Sequence, residues 1–169
     1  MSKPLKSIPI SSASTTKIPK TYRSKLYGNF SRLTKYYFQS RQFYSQEVIN
    51  YCLDLIEQES ANILDIGCGT GISTRQLAVR KHQLIGIDSS FDMIARASIP
   101  NAKNIKLVTA KAENLPVKPR IFDAVTAFGA FHWFSIPKAV VEIKRVLKLG
   151  GTLFIVNKTD KSVFLSQYR

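Results

Sequence analysis

The chain has 169 residues, of which 44% are hydrophobic and 21% charged, and a formal net charge of +14 at neutral pH; this is the length and balance of one globular domain with a continuous core. No stretch approaches the roughly 18 uncharged apolar residues of a membrane span, and the longest apolar run, Ala124 to Phe134, is too short and follows Asp123. The two cysteines, Cys52 and Cys68, stand alone, so neither a disulfide framework nor a metal site is implied, and a reducing compartment such as the cytoplasm fits.

The positive charge is uneven. Residues 1–46 carry nine Lys and Arg and no acid, the first carboxylate being Glu47, and the remainder holds 16 basic and 11 acidic residues. The opening segment is rich in Ser, Thr, Lys and Pro, with too few large apolar residues to offset its ordering entropy, so residues 1–22 are expected to form a disordered basic tail and 23–169 the domain. An organelle transit peptide shares this poverty of acids, but Lys outnumbers Arg and prolines interrupt any amphipathic helix; a secretory signal is excluded by the missing apolar region.

Phe43, Val48, Ile49, Cys52, Leu53 and Ile56 recur at helical spacing, which predicts a helix ending near Glu59. Asn62 to Ile66 is a short apolar run feeding a Gly cluster, as a buried parallel strand does. The alternation then continues with helix Ser73 to Arg80, strand Gln83 to Ile87, helix Phe91 to Ala97, strand Ile105 to Thr109, loop Lys111 to Arg120, strand Phe122 to Phe128, helix Pro137 to Leu147 and strand Thr152 to Val156. Strands alternating with helices predict an α/β fold, a doubly wound, mostly parallel sheet with helices on both faces. Ligands in such sheets sit at the carboxyl ends of the strands, near the switch in strand order.

The sharpest segment is Leu64-Asp65-Ile66-Gly67-Cys68-Gly69-Thr70-Gly71. Its glycines let the backbone turn sharply and approach a ligand where a Cβ would collide. The free amides of the helix opening near Ile72 favour an anionic or electron-rich group, and the Asp65 carboxylate can hold an ammonium group or orient water to it. Nicotinamide and flavin enzymes use G-x-G-x-x-G, but here the spacing is G-x-G-x-G, Ile72 stands where a third glycine would be needed, and Asp65 would repel a pyrophosphate. Leu64 to Gly71 resembles motif I of class I S-adenosylmethionine-dependent methyltransferases.

Three further segments extend the resemblance. Gly86-Ile87-Asp88-Ser89-Ser90 ends the next strand with an acid 21 residues after Gly67, and such a carboxylate can accept hydrogen bonds from ribose hydroxyls. The resemblance assigns Asp88 to the ribose, with Ser89 beside it and Met93 near the adenine; alone, Met93 reads as core and Ser90 as a helix N-cap. Ala110 to Pro116 is similar to the loop that meets the adenine, with Ala112 and Glu113 at the contacting positions, although Glu113 also reads as an ordinary loop acid. Asp123 matches a family position for which a structural role is expected. Ala127-Phe128-Gly129-Ala130-Phe131-His132-Trp133-Phe134 resembles the type 11 methyltransferase group, whose acceptors include small acids and quinone precursors. A sulfonium is attracted to aromatic faces by about 0.5–2 kcal/mol, so these aromatics are candidates for the transfer pocket, or for plain core.

The resemblance implies S-adenosylmethionine as cofactor, held by Asp65, Gly67, Cys68, Gly69, Gly71, Asp88, Ser89, Met93, Ala112, Glu113 and Phe128, with Phe128 to Trp133 bordering a small-molecule acceptor. The only candidate base is His132, for an acceptor that must lose a proton, and a pocket-wall role competes with that reading. Nucleic acid is disfavoured as acceptor, since no aromatic-interleaved basic patch or Asn-Pro-Pro-Tyr motif accompanies the basic tail.

Family members continue past the fifth strand with helices and two more strands, one of them antiparallel, whereas Lys148 to Val156 resembles the approach to that strand and the chain ends at Arg169. Ser162 to Arg169 reads as the first turns of a helix, which leaves Thr152 to Val156 as an unpaired apolar edge open to self-association or a partner subunit. A truncated product, a subunit completed by a partner and a minimal self-associating domain are all consistent with this. The alternative to an enzyme is an inactive or truncated methyltransferase-like subunit that binds cofactor or supports a partner protein.

Overall fold

Seven strands form one sheet in the computed structural model, which describes residues 7–9, 43–56, 58–79, 81–97, 102–158 and 162–168. The elements in chain order are β1 (Ser7–Pro9), α1 (Gln46–Leu55), β2 (Asn62–Ile66), α2 (Ile72–Leu77), β3 (Gln83–Asp88), α3 (Phe91–Ala95), β4 (Ile105–Thr109), β5 (Phe122–Phe128), a 3₁₀ turn (Phe131–Trp133), α4 (Ile136–Val146), β6 (Leu147–Lys158) and β7 (Ser162–Tyr168). The strand order is β1-β7-β6-β5-β2-β3-β4. Strands β4, β3, β2, β5 and β6 run parallel, while β7 lies antiparallel to β6 and β1 antiparallel to β7. From β2 the chain winds outward through β3 to β4 and then returns to build β5 and β6 on the other side, so the switch in strand order falls between β2 and β5. No described helix is long and apolar enough to cross a membrane.

Alternation along the strands divides the core in two. Ile63, Ala124, Phe128, Phe154 and Val156 face one side, where they pack with Val48, Ile49, Cys52 and Leu53 of α1 and Leu77 of α2. Leu64, Ile66, Val125, Ala127, Leu153 and Ile155 face the other, against Ala139, Ile143 and Val146 of α4. Burying each Leu or Ile side chain supplies about 1.5–3 kcal/mol, which explains why segments with modest helical propensity settle as helices here.

The segment between β4 and β5 has no regular structure but is firmly held. Glu142 Oε2 accepts the Leu115 N–H at 2.7 Å, and Arg145 donates from Nη2 to Leu115 O and from Nη1 to Val117 O, both at 2.8 Å. Arg145 Nε also meets Glu142 Oε1 at 2.7 Å, so an i,i+3 ion pair on α4 anchors the loop that runs along one wall of the cleft described below. At the opposite end of the sheet, Asp123 accepts the Asn62 N–H and the Lys148 ammonium, both at 2.8 Å. Burial raises the Asp123 carboxyl's pKa, but Lys148 and the Asn62 amide outweigh it and hold the group below its usual range. This is the structural part expected of Asp123.

Four expectations are corrected. Helix α1 ends at Leu55, short of Glu59, and Phe43 lies before it, largely exposed. Strand β6 begins at Leu147, where a register shift between Phe122 and Ala124 lets extra residues, among them Gly150 at φ 77°, bulge into the strand. Ser162–Tyr168 is a strand rather than a helix, paired from Leu153↔Tyr168 to Lys158↔Val163. The unsatisfied backbone of β6 is a stronger demand than a weak helical pattern, so the edge expected to be open for self-association or a partner subunit is covered. Last, Ser7–Pro9 pairs with β7 and so departs at those three residues from the unstructured tail expected over 1–22; the rest of that tail lies outside the described residues.

The Arg145 hydrogen bond, with burial opposing it, holds the Glu142 carboxyl below its ordinary value of 4.5. A carboxyl whose folded pKa is lowered stabilises the fold above its unfolded value and loses that stabilisation as pH falls through the folded one. Glu142→Gln is therefore expected to lower the urea-unfolding free energy by about 1 kcal/mol at neutral pH, after allowing for solvent screening, and the difference is expected to shrink as pH falls below the ordinary carboxyl range and the wild-type side chain takes up its proton.

Candidate active site

The residues of the Leu64–Gly71 segment separate into two groups that point in different directions. Asp65 lies on the same face of the sheet as Ile63 and is fully buried. Its Oδ2 accepts from Ser73 Oγ at 2.7 Å and Thr74 Oγ1 at 2.6 Å, and its Oδ1 from Thr126 Oγ1 at 2.8 Å. Burial pushes the carboxyl up from its usual range, three hydroxyls pull it back, and Asp88 adds a smaller upward push. Asp65 does not line the cleft. Both oxygens are engaged by hydroxyls of α2 and β5, so the expected contact with a ligand ammonium is replaced by a contact that ties α2 to the sheet.

Gly67, Gly69 and Gly71 have φ of 69°, 56° and 75°, the left-handed region that residues with a Cβ enter only with strain. A Cβ on Gly67 would run into Ala130 Cβ and come within 3.1 Å of Phe134 Cζ. The loop's amides are mostly used inside the protein: Gly67 and Cys68 N–H donate to Ile87 O at 2.7 and 3.0 Å, Gly71 N–H to Cys68 O at 2.9 Å, and Gly69 N–H to Asp88 Oδ2 at 2.8 Å. The glycines thus leave few donors at this turn, and at Gly67 and Gly69 the missing Cβ makes way for Ala130, Phe134 and Met93. Cys68 faces inward, since a Cβ on Gly86 would meet its Sγ at 3.0 Å. Burial, aided by Asp65 and Asp88, pushes its thiol pKa up, and burial alone raises Cys52 to about 12. Both thiols therefore stay protonated and unreactive.

At the carboxyl edge of β2, β3, β4 and β5 these elements enclose a cleft of about 550 Å³, within the usual range of small-molecule sites. Of the residues singled out from sequence, Gly67, Gly69, Asp88, Ser89, Met93, Ala112 and Glu113 line it. Asp88 accepts the Gly69 N–H on Oδ2 and the Ser90 N–H on Oδ1, each at 2.8 Å, which leaves one lone pair on each oxygen for a ligand. Ser90 caps α3 by accepting the Met93 N–H, and Met93 is thereby set as an apolar floor. Glu113 spans the rim, its Oε1 accepting the Ser135 N–H at 2.6 Å.

Asp65, Cys68, Gly71, Phe128 and His132 do not line the cleft. Phe128 belongs to the core facing α1; its ring packs edge-on against Tyr44 at 4.8 Å, and its carbonyl accepts the Tyr44 hydroxyl at 2.9 Å. His132 is exposed on the 3₁₀ turn, against the Trp133 ring at 4.9 Å. The cleft instead takes Ala110, Lys111, Gly129, Ala130, Trp133, Phe134, Ser135 and Lys138. Trp133 and Phe134 were among the sequence candidates. Gly129 and Ala130 were legible as the residues ending β5, while Lys138, one turn into α4, carried no signal that would separate it from a solvated lysine.

Because one carboxylate satisfies three buried hydroxyls, removing it strands several polar groups at once. Asp65→Asn, which keeps one acceptor oxygen, is expected to destabilise the fold by about 1–3 kcal/mol in urea unfolding. Thr126→Val, which removes a single donor, is expected to lower stability by about 1 kcal/mol. Neutral behaviour of both variants would remove Asp65 as the anchor of the loop.

Comparison with known proteins matches the site's location in the chain. The methyltransferase domain family of type 11 covers residues 64–155, more than half of the chain. An uncharacterized methyltransferase of Mycobacterium tuberculosis is 32% identical over 125 residues, 73% of this chain and 49% of that protein. The demethylmenaquinone methyltransferase of Thermobifida fusca is 35% identical over 98 residues, 55% of this chain and 42% of that protein. The crystal structure of YcgJ from Bacillus subtilis superposes with a TM-score of 0.62 at 29% identity, over 67% of this chain and 51% of that one. The chain spans about half the length of the curated relatives it matches. With the winding, the glycine loop and the cleft at the strand-order switch, this match shows that the chain belongs to the class I S-adenosylmethionine-dependent methyltransferases, in the type 11 domain group.

Proposed function

We propose that the chain binds S-adenosylmethionine in this cleft and directs its methyl group to a small-molecule acceptor. The observation that carries the reading is the cleft at the carboxyl edge of the parallel strands, lined by Gly67, Gly69 and Met93 and by an Asp88 carboxylate with acceptor capacity still open. A polar, hydroxyl-bearing ligand with an extended body fits such a cradle. On this reading Asp88 accepts the ribose hydroxyls, Met93 and Ala112 flank the adenine, and Gly67 and Gly69 admit the methionine chain. Asp65 acts beneath the loop, by fixing it.

The cofactor, when bound, supplies an electrophilic methyl group on a sulfonium. The protein's own contribution is alignment, which can lower a barrier by several kcal/mol when reacting atoms are held in near-attack geometry. Trp133 and Phe134 give that end of the cleft an aromatic wall, suited to a soft cation. His132 lies off the cleft and receives no proton-transfer role. The cleft's size, together with the likeness to an enzyme named for a small quinone-type acceptor, supports a small molecule as methyl acceptor. The two buried thiols support a reducing, cytoplasmic setting.

Isothermal titration with S-adenosylmethionine and S-adenosylhomocysteine tests the reading. Asp88→Ala is expected to weaken cofactor affinity by about 1–3 kcal/mol, roughly fivefold to 150-fold, with the far-ultraviolet circular dichroism retained. Unchanged affinity would remove Asp88 from the site, and no binding by the wild-type chain would overturn the proposal.

A further inference from the structure

Four charged side chains line the cleft, and they are not equivalent. The two carboxylates are engaged: Asp88 takes the Gly69 and Ser90 amides, and Glu113 takes the Ser135 amide. The two ammonium groups, Lys111 and Lys138, have no hydrogen-bond or ion-pair partner among the described residues. Lys111 stands beside Ala112, on the wall assigned above to the adenine. Lys138 stands on the same short stretch as Trp133 and Phe134, three residues past Ser135, whose N–H Glu113 holds, and the acceptor is assigned to this end of the cleft.

Lys138 also occupies a poor position for the helix that bears it. It lies in the first turn of α4 (Ile136–Val146), which contains no acidic residue, and a cation there opposes the positive end of the helix macrodipole. Neither helix stability nor an ion pair accounts for a lysine at this place. Beside it, Trp133 is 43% exposed although it lines the cleft, so a flat apolar platform and an unpaired cation share one wall. Such a pairing recognises an oxyanion attached to a flat apolar body.

We infer that the methyl acceptor carries an anionic group, a carboxylate or phosphate, next to an aromatic or similarly flat body, with Lys138 pairing with the anion and Trp133 with the body. This rests on the proposed function and narrows its acceptor class. Lys138 is exposed, so the contribution is modest and is screened by salt.

Trp133 is the only tryptophan of the chain, so its emission reports from the cleft wall. The test uses the chain saturated with S-adenosylhomocysteine and two nitroaromatic quenchers that differ in charge, para-nitrobenzoate and para-nitrobenzamide. The benzoate is expected to half-quench Trp133 at about threefold to tenfold lower concentration than the amide, and the preference is expected to shrink as salt rises from ~0.05 to ~0.5 M. Lys138→Met is expected to abolish the preference while leaving S-adenosylhomocysteine affinity unchanged by titration, and Lys111→Met to retain it. Equal quenching by both probes, or a preference that survives Lys138→Met, would overturn the inference. So would a loss of S-adenosylhomocysteine affinity in Lys138→Met, since the lysine would then serve the cofactor. Failure of the wild-type chain to bind S-adenosylhomocysteine at all strikes the proposed function itself, and is seen before any quencher is added.

Discussion

A carboxylate removed from water has to be satisfied or neutralised, and at Asp65 the fold satisfies it with three hydroxyls from two other elements. An isolated buried carboxylate would be prohibitively unfavourable, so the position of Asp65 dictates the positions of Ser73 and Thr74 at the start of α2 and of Thr126 on β5. Those three contacts fix the start of α2 against the strand-order switch between β2 and β5. The connection between β2 and α2 is then short and its ends are set, which forces the left-handed glycines at 67, 69 and 71. Asp88 completes the arrangement from β3 by taking the Gly69 amide. The cleft is the space left beside a loop whose shape is determined from behind.

This arrangement differs from an anion-binding glycine loop, in which several free N–H groups converge on a phosphate. Here the amides of Gly67, Cys68, Gly69 and Gly71 donate to backbone carbonyls or to Asp88. Recognition has to come from shape at Gly67 and Gly69 and from the carboxylate of Asp88. A dinucleotide pyrophosphate would meet the Asp88 carboxylate beside a loop with few free donors, whereas a ribose diol would meet a suitable acceptor. The engaged amides of Gly67, Cys68, Gly69 and Gly71 point the same way as the spacing of the glycines, against a nicotinamide enzyme.

The bounds of β2, β4 and β5 were legible in the sequence because buried parallel strands are short apolar runs closed by turn residues. The cleft's glycines and Asp88 were legible for the same reason: they follow those strands directly. For Asp65 and Phe128, expected at the cleft but absent from its lining, the reason is which way a strand residue faces. Asp65 shares a face with Ile63, and Phe128 with Ala124 and Thr126, so strict alternation would have turned both away from α4. A match to a motif gives an acid or an aromatic its place in the chain but not its side of the sheet. Strand β7 was misread because a seven-residue segment was judged alone, whereas its conformation is decided by the free edge of β6. The hold of the Glu142–Arg145 pair on Leu115 and Val117 was not legible, because it is a tertiary fact, with 27 to 30 residues between the partners.

Stability and specificity are allotted to different walls of the cleft. On the loop side, Asp65, the glycines and Asp88 form one connected network in which each group satisfies another, so that a change at any of them disturbs the rest. On the other side, the stretch from Gly129 to Lys138 is held by Gly129 N–H on Val156 O, Trp133 N–H on Ala130 O and Ser135 N–H on Glu113, and by Phe131 and Phe134 packed against the core. The Trp133 and Lys138 side chains stand exposed where they line the cleft. Substitution at either leaves the hydrogen bonds of the glycine loop, and so its geometry, in place. On the proposed function, a scaffold divided in this way can exchange acceptors with its winding and its glycine loop intact, because the exposed Trp133 and Lys138 side chains stand apart from the Asp65 network that closes the fold.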